Sequence, residues 1–273
     1  MYDNEDTLTR ARPLTSGGAL RRVVPPGQFF SLGDFDVPGV PPARSVCVYV
    51  PSDHVRDGTR PALYLFDGQN VFDDSYSFAG GWFVHDAVDS IGRRGRNIPV
   101  VVGIAHGGDN RMNELVPWKI KQGGGSLEPF LDWMTATLIP RVQREFGLRT
   151  GPLASVIGGS SLGGLAALYA HYRNPETFGG ALSLSPSLWV AKLGILSYLR
   201  DRPKPHFSRI YLDCGGQEGG GKMIEIAERL ARQLRDRGYD EQQLLWRPDP
   251  SAGHNERSWR RRLPKALRFM FSA

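Results

Sequence analysis

The chain has 273 residues, 40% of them apolar and 23% charged, with a net charge of +6. That length suits one large α/β domain or two small ones, and it buries a sizeable core without disulfide or metal staples. No apolar run reaches the roughly 18 residues that cross a bilayer, and the arginine clusters (Arg21-Arg22, Arg93-Arg94 with Arg96, Arg257 with Arg260-Arg261-Arg262) sit on no nucleic-acid-binding motif, so they read as solvated surface.

Residues 1–28 read as a loosely ordered extension, punctuated by Gly17-Gly18 and Pro25-Pro26-Gly27. Its first 16 residues are polar and lack the apolar stretch of a signal peptide. Residues 29–273 read as a single catalytic domain. An edge strand is expected over 29–37, a strand over 45–50 (SVCVYV), and a strand buried on both faces over 62–66 (ALYLF). Helical spacing of Trp82, Val84, Ala87, Val88 and Ile91 predicts a helix over 82–91. PVVVGI (99–104) predicts another buried strand. Ser126 is a candidate N-cap for a helix reaching about residue 146, interrupted at Pro140.

A short strand over 153–157 then meets a helix over 162–172, and between them stands Gly159-Ser160-Ser161-Leu162-Gly163. Gly-x-Ser-x-Gly in that context predicts a nucleophile elbow, with the Ser161 hydroxyl exposed at a helix start. Further strands are expected over 181–184, 209–214 and 243–246. Helices are expected over 223–237, ended by Gly238 at C′, and over 259–271. Strands alternating with helices, with apolar central strands, predict a mostly parallel sheet covered by helices on both faces. Its functional residues belong at the carboxyl ends of the strands.

A serine hydroxyl needs a base, and the base needs an orienting acid. His85 and His171 fall inside expected helices, His54 in a hairpin-like loop and His206 in a proline-rich connection. His254 follows the last strand, in the chain order Ser, acid, His. His106, after PVVVGI, is a candidate substrate contact. The acid should follow strand 209–214. Glu218, in a glycine-rich loop past the sheet edge, is preferred to Asp213, which is still within the strand, and Asp249 comes third. Oxyanion amides are expected from Leu162 and from Gln69 in Asp67-Gly68-Gln69-Asn70. No histidine or cysteine cluster has ligand spacing, so no metal or cofactor is expected. Cys47 and Cys214 fall in expected strands as buried free thiols, which suits a reducing cytoplasm.

The segments YLFDGQNVFDD (64–74), VVGIAHGGDNRMNELVPW (101–118), GGSSLGG (158–164), FGGALSLSPSLW (178–189), YLDCGGQEG (211–219) and GHNERSWRRRLPKALRFMF (253–271) together resemble a family of esterases in the α/β-hydrolase superfamily. That family holds siderophore trilactone esterases, feruloyl and acetyl-xylan esterases, S-formylglutathione hydrolases and mycolyltransferases. The resemblance covers about residues 40–273 and is nearest the signal-less siderophore branch. It implies an α/β-hydrolase fold with Ser161 as nucleophile, His254 as base, Glu218 at the acid position and Gln69 and Leu162 at the oxyanion hole. The family often carries Asp where this chain has Glu218. The family's Arg-x-x-Asp/Glu stretch matches Arg111-Met112-Asn113-Glu114, read as an ion pair, structural or on the substrate side.

The expected activity is serine-dependent hydrolysis of small-molecule carboxylic esters. Phe78, Trp82, Trp118, Trp189 and Trp259, with Arg111, lie near the catalytic end and suggest an aromatic, partly cationic pocket for aryl acids. Two rivals use the same fold: an acyltransferase, which passes the acyl group to an alcohol, and a binding protein with an inactive site. The 188–207 connection is the longest insertion after the sixth strand, which disfavours a lidded peptidase. Edge-strand faces leave room for a dimer without requiring one.

Overall fold

The computed structural model describes residues 26–75, 77, 80–95 and 97–271. The expected N-terminal extension therefore lies almost wholly outside the described residues, as does Phe78.

The strands are β1 (Gln28–Phe35), β2 (Arg44–Val50), β3 (Ala62–Phe66), β4 (Val100–Ile104), β5 (Ser155–Ser160), β6 (Gly180–Leu184), β7 (Arg209–Gly215) and β8 (Leu244–Asp249). They form one sheet in the order β1-β2-β4-β3-β5-β6-β7-β8. β1, β2 and β4 pair antiparallel. From β4 across to β8 every pairing is parallel. Every residue of β3, β4, β5 and β6 is buried. That explains why these strands read as unbroken apolar or small-residue runs rather than alternations.

The helices are α1 (Val84–Gly92), α2 (Arg111–Leu115), α3 (Leu127–Trp133), α4 (Ile139–Phe146), α5 (Leu162–Arg173), α6 (Gly194–Arg200), α7 (Lys222–Asp236) and α8 (Glu256–Met270). α1 and α8 cover one face of the sheet, with Val84, Val88, Ile91, Trp259, Leu263 and Leu267 in one core. The others cover the opposite face, where Leu131, Val142, Leu168, Leu196 and Leu230 share a second core. Two-sided cover on a largely parallel sheet is the architecture the alternation predicted.

Local details refine the expectations. Ser126 stands at the N-cap of α3, but its side chain makes no capping bond. A π-helical turn, Met134–Leu138, joins α3 to α4, and the Ile139 amide donates to the Met134 carbonyl five residues back. The interruption thus falls one turn before Pro140, whose missing N–H breaks the regular ladder there. α7 ends as expected. Gly238 takes φ +81, and its amide and that of Tyr239 donate to Arg235 and Leu234, closing a Schellman motif.

Candidate active site

β5 ends at Ser160 and α5 begins at Leu162, so Ser161 is the single residue of the turn. Its φ of 56° and ψ of −119° form a strained conformation for a side-chain-bearing residue. The turn is held from β6 outward: Ser161 N–H donates to the Leu184 carbonyl (2.9 Å), and Ser187 N–H donates to the Ser161 carbonyl (2.9 Å). Glycine is obligatory beside it. A Cβ on Gly159 would stand 2.7 Å from the Gly163 carbonyl carbon. The turn therefore depends on the absence of a side chain at Gly159.

His254 and Glu218 converge on this turn. Ser161 Oγ lies 2.9 Å from His254 Nε2, and His254 Nδ1 lies 2.8 Å from Glu218 Oε2. An ionised carboxylate only accepts, so Nδ1 carries the proton and Nε2 accepts from the Ser161 hydroxyl. Ser187 Oγ, 3.1 Å from Ser161 Oγ, must then be the donor of that pair. Glu218 is 1% exposed, in a 3-10 turn after β7 that three positive-φ glycines make possible. Burial works to raise its pKa, but hydrogen bonds from His254, Ser185 and the Gly215 amide outweigh this and hold it below the usual carboxylate range.

The rival acids point elsewhere. Asp213 Oδ1 accepts from the Ser185 amide (2.9 Å), and Oδ2 accepts from the Tyr211 hydroxyl (3.1 Å). Arg262 Nε approaches Oδ2 at 2.8 Å, an ion-pair contact whose N–H is not aligned as a hydrogen bond. Burial pushes Asp213 up to about 6. Asp249 accepts from Ser251 and from Arg261.

The loop after β3 lies against the start of α5. Asp67 takes φ +58, and a Cβ on Gly163 would stand 3.1 Å from its Oδ2. A Cβ on Gly68 would stand 2.5 Å from the Ile104 amide nitrogen, so the loop packs on β4 only as glycine. Gln69 follows, its side-chain oxygen accepting from the His106 amide (3.2 Å). Leu162, as the first residue of α5, has an amide outside the helical ladder. Both amides belong to segments that meet at the elbow.

Arg111 forms a two-pronged pair with the Asp67 carboxylate, at 2.6 and 2.8 Å. Glu114 instead pairs with Arg44, both fully buried. The Arg-x-x-Glu stretch thus supplies one half of each of two ion pairs, because its residues leave α2 in different directions. His106 is half-buried, and its Nδ1 accepts from the Gly108 amide (2.9 Å). Burial holds its pKa down.

The aromatic residues separate into core and groove. Trp82 is only 1% exposed, packed edge-on against Trp259 (6.0 Å), so it is a core residue and not a substrate contact. Trp259 also belongs to the scaffold: its ring meets His254 edge-on at 5.0 Å, and its indole N–H donates to Ser185 Oγ (3.0 Å). Trp118 and Trp189 instead line an open groove of about 660 Å³, together with Lys119, Lys121 and Lys192. Trp189 is 54% exposed. It lies two residues beyond Ser187, which touches Ser161.

Sequence reasoning missed Ser185, Ser187 and Arg262. Arg262 belongs to a cluster expected at the surface, yet it is 7% exposed. The available signal was its spacing, since it shares a helix face with Trp259, Leu263 and Ala266. The two cysteines are free: Cys214 is buried, but Cys47 is only half-buried because β2 lies near the sheet edge. Among the described residues, no group of three His, Cys, Asp or Glu side chains could hold a metal, and no helix is long and apolar enough to cross a membrane.

The model of the Esterase family, described as “Putative esterase”, matches residues 40–270. An uncharacterized protein of Bacillus subtilis, YbbA, is 24% identical over 84% of this chain and 92% of its own length. The iron(III) salmochelin esterase of Escherichia coli is 28% identical over 80% of this chain, which spans about half (52%) of that protein. Among solved structures, the BES protein of Bacillus cereus superposes with a TM-score of 0.71 at 18% identity, covering 95% of this chain and 100% of that one. The enterobactin esterase of Shigella flexneri gives 0.66 at 23% identity over 90% of this chain and 59% of its own. At such identities the structural matches speak for the fold. The family match covers most of the chain, which therefore belongs to the Esterase family and is a carboxylic ester hydrolase of the α/β-hydrolase fold.

Proposed function

We propose that this protein hydrolyses esters through a Ser161-His254-Glu218 triad, with the Gln69 and Leu162 amides as the oxyanion hole. One observation carries the reading: an unbroken chain of bonds from the strained Ser161 hydroxyl through His254 to a fully buried carboxylate. In the forward step the Ser161 proton passes to His254 Nε2 as Oγ attacks the ester carbonyl carbon. The carbonyl oxygen takes up the negative charge, and the two amides stabilise it. Collapse breaks the carbonyl–alkoxy bond, and His254 gives the proton to the departing alcohol. Water, deprotonated by His254, then attacks the acyl-enzyme, and Ser161 leaves with the proton restored. Glu218 keeps the imidazole in the right tautomer and balances its positive charge while it is protonated.

The groove lined by Trp189, two residues along the chain from the Ser187 that touches Ser161, suits an aryl acyl group carrying negative charge. Trp118 and Trp189 offer faces to a planar ring, and Lys119, Lys121 and Lys192 offer compensating charge. Esters of the catecholate siderophore type combine both properties, and relatives of this chain are named as salmochelin and enterobactin esterases. Two free thiols fit a cytoplasmic location.

The test is hydrolysis of p-nitrophenyl acetate, butyrate and octanoate by wild type, Ser161→Ala and His254→Ala. Both variants should stay folded and lose at least about 1000-fold in kcat. A folded wild type that neither turns over these esters nor reacts with a fluorophosphonate probe would sink the reading. For the groove, Trp189→Ala should raise KM about tenfold for a dihydroxybenzoyl ester and leave p-nitrophenyl acetate unchanged.

A further inference from the structure

Behind the acid of the triad lies a buried polar cluster that the hydrolytic mechanism leaves unexplained. Its members are Ser185 at the end of β6, Asp213 on β7, and Trp259 and Arg262 on α8, all less than 9% exposed. Ser185 is the hub. It takes φ +43, a conformation that serine rarely adopts, and its amide donates to Asp213 Oδ1. Its hydroxyl has three neighbours: Trp259 Nε1 at 3.0 Å, Arg262 Nη2 at 2.7 Å and Glu218 Oε1 at 2.6 Å.

A hydroxyl carries one proton and two acceptor lone pairs. Indole and guanidinium N–H groups can only donate, so together they occupy both lone pairs. The hydroxyl proton then has one destination, the Glu218 carboxylate. Glu218 Oε1 also accepts from the Gly215 amide (2.7 Å). That oxygen is thereby satisfied and pinned, and Oε2 is the one that faces His254.

We propose that Ser185 is a positioning residue: Trp259 and Arg262 force its hydroxyl proton onto Glu218, and this bond aims the carboxylate at His254. The inference rests on the triad reading above. Asp213 completes the arrangement by holding the Ser185 backbone and by balancing the buried Arg262 charge.

The charged and titratable groups around this carboxylate come from several elements. Asp213 and Cys214 face it from β7, with Tyr211 one bond further on at Asp213, Arg262 from α8, and His254 from the loop before α8. Glu256 opens α8 two residues after His254, within electrostatic reach of Arg111. Removing the Ser185 hydroxyl changes none of these charges. It takes one donor from Oε1 and so leaves more negative charge facing His254, which favours the protonated imidazole.

The experiment compares the pH dependence of kcat and KM for wild type, Ser185→Ala and Glu218→Gln on p-nitrophenyl butyrate. Ser185→Ala should lower plateau kcat about tenfold, leave KM within about twofold, and move the acid limb of kcat upward by about half a pH unit. A serine that merely fills space would leave that limb in place. Ser185→Gly, which suits the positive φ, replaces the alanine variant if the latter does not fold. Wild-type kcat and an unmoved acid limb in a folded hydroxyl-less variant overturn the inference. If Glu218→Gln loses activity in that same series, only the role of Ser185 falls. If Glu218→Gln is fully active, the triad reading falls and the role of Ser185 falls with it.

Discussion

Arg44 shows how much of the site depends on single buried charges. It lies on β2 with no exposed side-chain surface, its guanidinium against the equally buried Glu114. Glu114 in turn accepts from the Gly107 amide (3.0 and 3.2 Å) and so fastens the loop that carries His106. Arg44→Met would leave the Glu114 carboxylate buried without its counter-charge. The expected loss is about 3–5 kcal/mol, read from the urea midpoint, and Arg44→Met with Glu114→Leu should recover most of it. Neither partner was legible as buried, because an arginine in an edge-region strand looks like any solvated one. Arg262 was hidden for a related reason, as one of three consecutive arginines of which only one faces inward. Ser161, His254 and Glu218 were legible because each stands at a strand end with glycine beside or before it. Trp82 misled, since position near the catalytic end says nothing of which side of a helix start the ring occupies.

Elements were read best where composition forces one answer. β3, β4 and β6 have no solvent face, so their sequences admit little but strands, whereas the equally buried β5 starts at Ser155, two residues later than expected, because Pro152–Ala154 form a 3-10 turn. α2 and α6 were missed because five- and seven-residue helices show no full period of pattern. The helix bearing the most functional weight, α8, starts three residues earlier than its apolar pattern, at Glu256. Its start is fixed by Asn255, whose side chain accepts from the Ser258 amide (3.0 Å). Asn255 directly follows His254, so this cap also anchors the loop that carries His254. Asn255→Ala should cost about 1 kcal/mol in thermal or urea unfolding. It should also reduce kcat more than it changes KM, since the imidazole loses a fixed attachment. An unchanged midpoint would show that the cap contributes nothing.

Across the whole molecule, the sheet is tied at both ends. At the amino ends of the parallel strands, opposite the elbow, His171 of α5 is fully buried. Its Nδ1 donates to the Phe178 carbonyl (2.8 Å), so its Nε2 accepts from Ser208 (2.6 Å). Ser208 in turn meets Tyr239 (2.7 Å), and Tyr239 meets Tyr172 (2.8 Å). Burial pushes the His171 pKa down from 6.5 to about 4. The folded value lies below the unfolded one, so its contribution is complete above pH 6.5 and is lost as pH falls towards 4. Asp213 runs the other way, its contribution being complete below 3.8 and lost as pH rises through about 6. The difference in unfolding free energy between wild type and His171→Gln isolates the histidine. It should stay flat above pH 6.5 and shift by about 3 kcal/mol against wild type by pH 4; a pH-independent difference would refute the assignment. At the other end of the sheet, the bonded partners are distant along the chain: 93 residues from Ser161 to His254, 36 from Glu218 to His254, and 77 from Ser185 to Arg262. No subset of neighbouring segments contains all three residues of the proposed triad. On the proposed triad, a half-assembled molecule with its elbow formed but α8 undocked has a nucleophile and no base. Turnover in a partly denatured sample therefore counts the molecules in which every layer has closed, not the average order of all of them.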